Sequence, residues 1–551
     1  MTSVRWTSVL LVVAIACSTA LGGSGFLIDT GEQALDDAAD LAARTLRRNV
    51  SEKWGTICPV LAPAWSQHYP AWIHPFDNFW MNKVTPYLFS AKAVAWPIEL
   101  LAQYQYPSGM FGWGIHGTLS PQAAQADYRT LTNEQIEQVS IDSRYVRDHL
   151  VILQIHDLWM SSGDDAVMKK LLPHCRKSVA YLFTLKDSDG DGLVESADII
   201  EDIDVLRDGK PTGARDVERF VDQSLTYAAL LCYVNMCNAA GDREAATDAL
   251  AKADRIKTLS NELYWNDKGY YILSIDTKTN RPLHEKHTST YANGYAILYG
   301  LAAGKRAEAI LDYMESWDFE VPGPVLIPPL AKETGHNGKK LNFRPGYYAN
   351  GGCGWGRGHL PSVTIASFRN GRAEVGLSHL RKMARAANKS GAFYEYWTWE
   401  KFAKVTEPGG CRDYSETASG YLDAMIHGLF GVEALAPGFA GVRIAPRMPE
   451  DRREAAVSLP LPDKTELGYE YGWVDDGVNG KADGVMTLVL HPGKERRFEI
   501  SLVRKNQRPG SVEVDGKKVN FQRGQEHGVN LCEVRLTAAV ATTVKIFWEN
   551  P

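Results

Sequence analysis

Two stretches of the sequence place carboxylates where they could support acid–base chemistry. The segment 198–222 holds eight acidic residues, and Glu395 stands among aromatic residues in the segment 391–397 (GAFYEYW). Packing between large rings desolvates a carboxylate and tends to raise its pKa. Composition alone leaves two interpretations open at each place: a catalytic carboxylate, or a solvated group on the surface.

Cleavage of a glycosidic bond needs two carboxylates in one cleft, one to protonate the leaving oxygen and one to activate water or attack carbon. Aromatic residues that could hold sugar rings occur in loop-like, Gly-rich stretches, above all at 343–358. Each of them is individually more often part of a core than a sugar platform. The aromatic residues that we predict to bind a sugar are Trp80, Tyr348, Trp355 and Trp397.

The segment 187–195 (DSDGDGLVE) begins like a calcium-binding loop. Asp187, Asp189 and Asp191, followed by Gly192, match the pattern D-x-D-x-D-G. The position that should hold a bidentate Glu is occupied by Asp198, and the flanks do not form a clear helix pair. An Asp- and Gly-rich turn after a helix is the simpler interpretation. We therefore expect no metal or cofactor, with calcium at the three aspartates as the alternative.

Composition and charge exclude several classes of protein. Of 551 residues, 44% are hydrophobic and 23% are charged, which is typical of a globular chain rather than a disordered or multi-span membrane protein. The net charge is −6 and no strongly basic stretch occurs, which argues against a nucleic-acid partner. The sequence also lacks a Walker A loop, a dinucleotide fingerprint, and the H-E-x-x-H and G-x-S-x-G motifs.

The first twenty residues have the pattern of a signal peptide. Arg5 precedes an apolar run at 9–16, and Ser18-Thr19-Ala20 supplies the small residues of a cleavage site. The run is too short to span a membrane, and no later segment qualifies. We expect export to the periplasm or the cell exterior, with lipoprotein anchoring through Cys17 as the alternative. The oligomeric state is not predicted.

Hydrophobic periodicity divides the remaining chain into two domains. Residues 29–435 show apolar residues at helical spacing, clearest at 32–48, 145–160, 165–183, 223–240 and 243–263, with turn motifs between them. Helical hairpins at a steady spacing indicate a toroid whose longer loops line a cleft at one end. Residues 438–551 contain short alternating runs, including 485–490, 498–503, 512–514 and 543–548, which predict an antiparallel β-sandwich.

A series of motifs follows one another in a fixed order between about residues 140 and 446. They are Ser162-Gly163-Asp164 ahead of 187–195, the helix pair 220–263 with its sequel 265–271, the loop 348–352 with Trp355, the segment 391–396, the helix start 413–418, and 428–432 with Ile444-Ala445-Pro446. This order resembles the six-hairpin (α/α)6 glycosidases. That group includes mannosylglycerate hydrolase-like, trehalase-like, glycogen-debranching-like and α-L-rhamnosidase-like enzymes.

The resemblance implies an inverting glycoside hydrolase with an (α/α)6 catalytic domain. The family's general acid follows the "DGL.E" glutamate by about ten residues and falls on Asp204, with Asp202 as the fallback. Its general base falls on Glu395, with Glu400 as the fallback. Asn350, in the segment similar to the cleft loop, is a further predicted substrate-binding residue. The implied substrate is an α-linked oligosaccharide or polysaccharide fragment, cleaved with rhamnosidase-like or glucosidase/mannosidase-like specificity.

Two other functions remain open. A polysaccharide lyase would use Tyr347 or His359 as its base and Arg344 or Arg357 to hold a uronate carboxylate. A non-catalytic glycan-binding protein is the third hypothesis, because the residues around Asp204 differ from the acid motif of the family. Ultraviolet absorbance of an unsaturated product would distinguish a lyase from a hydrolase.

Overall fold

A computed structural model gives the fold of this chain. It describes residues 25–51, 56–57, 73–112, 132, 134–135, 138, 146–196, 206–207, 210–211, 216–283, 285, 287–317, 353–355, 359–400, 404–476, 483–526 and 528–549. Among these residues the α-helices are α1 (Gln33–Arg48), α2 (Pro75–Met81), α3 (Ala91–Gln103), α4 (Asp148–Ser162), α5 (Asp165–Thr184), α6 (Phe220–Ala240), α7 (Arg243–Leu263), α8 (Thr290–Leu298), α9 (Lys305–Glu315), α10 (His359–Arg369), α11 (Ala373–Ser390) and α12 (Ser415–Asp423). The helices predicted from periodicity are confirmed, with ends that differ by no more than three residues.

The turns between paired helices follow from their local sequence. Helix α4 ends at Ser162, its C-cap Gly163 has a φ of 70° that suits glycine, and Asp164 is the N-cap of α5. The side chain of Asp164 caps α5 by accepting hydrogen bonds from two backbone N–H groups, at 2.9 and 3.0 Å. Gly241 and Asp242 repeat this arrangement between α6 and α7. Each Gly-Asp turn therefore reverses the chain and starts the next helix.

Six of the helices contact one another in a closed circuit. Helix α2 contacts α4, and the contacts continue through α6, α8, α10 and α12, which in turn contacts α2. Most other helices lie against one member of this circuit: α5 against α4, α7 against α6, α9 against α8, α11 against α10, and α1 against α12. We call the set α2, α4, α6, α8, α10 and α12 the helix circuit.

The helices of the circuit run in the same direction. A cavity of about 270 Å³ is lined by residues in, or just after, the C-terminal half of every one of them, including Lys83, Asp157 and Asp423. Since the C-terminal halves meet there, the N-terminal ends meet at the opposite end. There, the Arg147 guanidinium just before α4 lies 5.2 Å from the ring centre of Phe76 in the first turn of α2.

The strands form two large sheets and several small ones. They are β1 (Leu27–Asp29), β2 (Val50–Ser51), β3 (Thr56–Ile57), β4 (Leu206–Arg207), β5 (Lys210–Pro211), β6 (Val217–Arg219), β7 (Trp265–Asn266), β8 (Tyr270–Tyr271), β9 (Ser274–Asp276), β10 (Cys353–Trp355), β11 (Tyr394–Glu400), β12 (Lys404–Arg412), β13 (Val432–Ala434), β14 (Gly441–Ile444), β15 (Glu454–Pro460), β16 (Glu466–Asp476), β17 (Asp483–His491), β18 (Arg496–Arg504), β19 (Arg508–Val514), β20 (Lys517–Lys518), β21 (Gln522–Glu526), β22 (Val529–Ala538) and β23 (Thr542–Glu549). The large sheets have the orders β1-β15-β16-β17-β23-β19-β20 and β13-β14-β18-β22-β21.

The two large sheets differ from the predicted antiparallel sandwich at one pair of strands. Strands β14 and β18 pair in parallel, with Val442 opposite Phe498. A parallel pair requires a long crossover, and here β15, β16 and β17 of the other sheet supply it. The N-terminal strand β1 pairs with β15, so a segment far away in sequence extends the first sheet.

A shared apolar core joins the sheets to the last helices. Buried side chains of α1, α11 and α12 belong to one cluster with those of both large sheets. The hydroxyl of Tyr469 on β16 donates to the Phe430 carbonyl at 2.7 Å. At Gly163, an added Cβ would lie 3.0 Å from the Cα of Gly438, so the helices and the β-rich region meet backbone to backbone. Among the described helices, none combines the length and apolar character needed to cross a membrane.

Candidate active site

Buried polar side chains concentrate at the N-terminal end of the helix circuit. They come from the first turns of its helices, or from the residues just before them. Helix N-termini favour such groups because their first N–H groups lack partners within the helix. The polar residues here that are at most 7% exposed include His74, Asp77, Asn78, Arg147, Asp148, His149, Glu218, Arg219, Asp222, His287, Tyr291 and Glu416.

Three of these residues have no hydrogen-bond partner for their buried side-chain atoms among the described residues. They are Asn78, His149 and Glu218. Burial, helped by the nearby charge of Arg147, lowers the pKa of His149 to about 3, so its imidazole is neutral at pH 7. Buried polar atoms without partners are rare in folded proteins and call for an explanation such as a ligand or water.

Glu395 lies at this end of the circuit, on strand β11, which contacts α12. Its side chain is 5% exposed. The pairing of β11 with β12 is irregular at this position, because Tyr394 faces Arg412 whereas Tyr396 faces Gly409. This bulge directs the Cys411 N–H towards Glu395 Oε2, at 3.2 Å. Bulges of this kind commonly reorient a side chain beside an active site.

Cys411 connects Glu395 with two further carboxylates. Burial raises the pKa of the Cys411 thiol to about 12, and a hydrogen bond to Glu395 and the charges of Glu395, Glu416 and Asp77 add to that rise. The thiol is therefore protonated and can donate to Glu395. The Tyr414 hydroxyl donates to Glu416. Carboxylates from α2, β11 and α12 thus lie close enough to one thiol at the N-terminal end to influence its ionisation.

Of the predicted sugar-binding residues, Trp80 and Trp397 have described side chains, and each is 2% exposed. Trp80 lies inside the circuit, with ring centroids 5.9 Å from Phe76 and 5.0 Å from Tyr291. Trp397 belongs to the apolar core that also includes the sheets. Contact with a sugar stays a prediction for both rings.

The other predicted site residues fall outside the described side chains. Asp204, Asp202, Tyr348 and Asn350 lie outside the described residues. Trp355 is in strand β10, where its backbone pairs with Tyr396. Glu400 ends β11 and His359 begins α10. The lyase candidates Arg344, Tyr347 and Arg357 also lie outside the described residues.

Sequence reasoning missed several residues that the fold brings to this site. Asp77, Arg147 and Glu416 lie near the starts of three different helices of the circuit, far apart in sequence. An acid in a first turn is common, because it interacts favourably with the helix dipole, so residue type alone does not mark it as functional. Their near-complete burial distinguishes them, and only the structure shows it.

Solved structures of glycoside hydrolases share this fold at low sequence identity. A GH78 family rhamnosidase of Bacillus sp. GL1 matches with a TM-score of 0.58 and 18% identity, over 83% of this chain and 41% of that chain. An α-L-rhamnosidase from Dictyoglumus thermophilum matches with a TM-score of 0.60 and 13% identity, over 96% and 51%. A GH63 mannosylglycerate hydrolase from Thermus thermophilus matches with a TM-score of 0.52 and 16% identity, over 70% and 100%.

These matches confirm the resemblance to six-hairpin glycosidases at the level of the fold. The chain spans about half the length, or less, of the rhamnosidase chains that it matches. No family model matches the sequence, and no curated protein sequence matches it either.

Proposed function

We propose that this protein is an inverting glycoside hydrolase with an (α/α)6 catalytic domain. The closed contacts of the helix circuit, its parallel helices and the helices outside it support a toroid of six hairpins. Solved structures with this fold include rhamnosidases and a mannosylglycerate hydrolase, which supports O-glycosyl hydrolysis. The observation that carries the proposal is Glu395, buried and held in place at the N-terminal end of the circuit.

In this mechanism Glu395 is the general base. Its carboxylate takes a proton from a water molecule, which attacks the anomeric carbon from the face opposite the leaving group. The Cys411 N–H fixes the direction of the carboxylate, so the base need not reorganise as it accepts the proton. Asp204 remains our candidate for the acid that protonates the leaving oxygen. Arg147 and His74 at the same end provide donors for sugar hydroxyls.

The proposed substrate is an α-linked oligosaccharide or a polysaccharide fragment. Rhamnosidase-like and mannosidase/glucosidase-like specificities are both consistent with the proteins that share the fold. Export by the N-terminal signal segment is part of the proposal, since oligosaccharides from plant or algal glycans occur outside the cytoplasm. We propose that the protein does not bind nucleic acid.

A reducing-sugar screen on plant and algal glycans tests this function. We expect the wild type to cleave at least one substrate, and Glu395→Gln and Asp204→Asn each to lose about a hundredfold or more in kcat. The matched control is Glu262→Gln, an exposed glutamate on α7, which should retain full activity. An unsaturated product that absorbs ultraviolet light would indicate a lyase, and glycan binding without turnover a non-catalytic protein. Either result would overturn the proposal.

A further inference from the structure

The aspartate carboxylates of the acidic loop after α5 accept hydrogen bonds from backbone N–H groups of the same loop. The Asp191 N–H donates to Asp189 Oδ1 at 3.2 Å, the Gly192 N–H to Asp187 Oδ1 at 3.2 Å, and the Leu193 N–H to Asp191 Oδ1 at 2.7 Å. Gly192 has a φ of +94°, which permits the tight bend. One carboxylate oxygen from each aspartate lies within 4.8 Å of those of the other two.

A fourth carboxylate lies beside this loop, on a neighbouring strand. Glu218 on β6 forms an antiparallel bridge with Glu195, and residues opposite each other in such a bridge project their side chains to the same side. Glu218 is fully buried, and neither of its carboxyl oxygens has a hydrogen-bond partner among the described residues. Burial raises its pKa to about 9, and the charges of Asp191, Asp189, Glu195 and Asp187 add to the rise.

Glu195 supports the same arrangement. Its Oε1 accepts hydrogen bonds from the backbone N–H of Ser188, at 2.9 Å, and from the Ser188 hydroxyl, at 2.5 Å. Its Oε2 is buried and has no partner among the described residues. Like charges this close repel one another, and burial adds to the cost of that repulsion. Three buried carboxyl oxygens without a hydrogen-bond partner among the described residues, two of Glu218 and one of Glu195, therefore lie beside the three aspartates.

We infer that Asp187, Asp189, Asp191 and Glu218 form a calcium site, and that Glu195 Oε2 is a neighbouring carboxyl oxygen that adds to its negative charge. The first, third and fifth positions of the loop, followed by glycine, match the order in which calcium loops supply ligands. Glu218 replaces the distant glutamate that such a loop normally carries at its own end. All the ligands are oxygen atoms, and a cluster of several carboxylates suits calcium, which accepts six to eight oxygens with flexible geometry, better than magnesium.

The site lies between the loop after α5 and the start of α6, so a bound ion would affect how these two segments are held together. Next to the acidic loop, the Ser196 N–H donates to the Val217 carbonyl at 2.9 Å, which joins the two ends of the segment between them. Asp204 belongs to that segment in sequence. Arg219, the residue after Glu218, precedes helix α6 of the circuit. A bound ion would therefore tie the loop after α5 to the start of α6.

Calcium titration of the chelator-treated full-length protein tests this inference independently of any hydrolysis. By isothermal titration calorimetry we expect one site with a Kd of about 1 mM or tighter, at least about tenfold weaker binding of magnesium, and a rise in Tm with calcium. Glu218→Gln and Asp189→Asn should each weaken calcium binding about tenfold or more. Asp267→Asn, at an exposed turn, is the matched control and should bind like the wild type.

Two results would overturn the inference. The first is an absence of both heat and a Tm shift up to about 10 mM calcium, well above the weakest dissociation constants of natural calcium sites. The second is equal calcium affinity for Glu218→Gln and the wild type. Gln is isosteric with Glu and neutral, so Glu218→Gln should fold without the ion. Circular dichroism of each variant would exclude misfolding as the cause of lost binding.

Discussion

The two ends of the helix circuit differ in how completely their polar side chains are paired. At the C-terminal end each acid has a partner: Lys83 Nζ lies 2.6 Å from Asp157 Oδ2, and His427 Nδ1 lies 2.6 Å from Asp423 Oδ1. The Tyr87 hydroxyl extends the second pair, 3.0 Å from His427 Nε2. At the N-terminal end, within the described part of the chain, buried polar atoms of His149 and Glu218 have no hydrogen-bond partner.

The presence or absence of a partner within the protein distinguishes groups that stabilise the fold from groups that are available to bind a ligand. A paired charge is already satisfied within the protein, so its role can be understood from the fold alone. A buried polar group without a partner costs free energy, and proteins retain such groups mainly where substrate, ion or reaction completes them. The cavity at the C-terminal end is therefore a poorer candidate for catalysis than the N-terminal end, where Glu395 lies.

The largest effect on stability is expected from Lys83→Met at the C-terminal end. It leaves Asp157 without its cation in a largely buried position, and breaking such a pair costs about 3 kcal/mol of unfolding free energy. Activity of the folded protein should stay within about twofold of wild type. Urea denaturation measures the loss, with Lys92→Met, an exposed lysine on α3, as the control. If Lys83→Met lost activity while keeping its stability, the division between the two ends would fail.

A pH-dependent effect is expected from Asp148 at the N-terminal end. Burial raises its pKa from 3.8 to about 7, against the opposing hydrogen bonds from the Ser178 hydroxyl and the Phe111 N–H. The native state therefore holds a proton that the unfolded state has lost. Stability from this group falls as the pH rises from about 4 to about 7, by up to about 1.4 kcal/mol per pH unit.

Asp148→Asn should remove this slope, because the amide keeps an oxygen acceptor and does not titrate. Urea denaturation of both proteins between about pH 4 and pH 8 measures the difference. Equal slopes for the wild type and Asp148→Asn would show that burial does not hold this carboxyl protonated.

The smallest effect is expected outside the circuit, at the exposed pair of Lys170 and Glu99. Lys170 Nζ lies 2.9 Å from Glu99 Oε1, but the lysine side chain is 64% exposed. Solvent screens such pairs, so Lys170→Met should change the unfolding free energy by no more than about 0.5 kcal/mol. A loss comparable to that of Lys83→Met would mean that burial does not explain the difference between the pairs.

Periodicity was sufficient to predict most helices and the C-terminal strands. Helix α7 was predicted with its observed bounds, because Asp242 and Gly241 mark its start and its apolar spacing is regular. The strand β1 was missed, since three residues give too short a pattern, and their partner β15 lies far away in sequence. The parallel pairing of β14 with β18 depends likewise on tertiary topology rather than on local pattern.

The candidate site was less accessible to sequence reasoning. Glu395 could be nominated because its aromatic neighbours and the family resemblance pointed to one segment. Asp77 and Glu416 join it only through packing of α2, α12 and β11, which no local motif encodes. Glu218 was one of eight acids in its segment, and its bridge to Glu195 is what distinguishes it from the others.

The most direct test of Glu395 as an inverting general base is the stereochemical course of hydrolysis, followed by proton NMR on an α-linked substrate identified in the screen. We expect the wild type to release the β-anomer first, and Glu395→Gln to release it about a hundredfold more slowly with an unchanged circular dichroism spectrum. Release of the α-anomer first, or equal rates for the wild type and Glu395→Gln, would contradict a general base at the N-terminal end of the helix circuit.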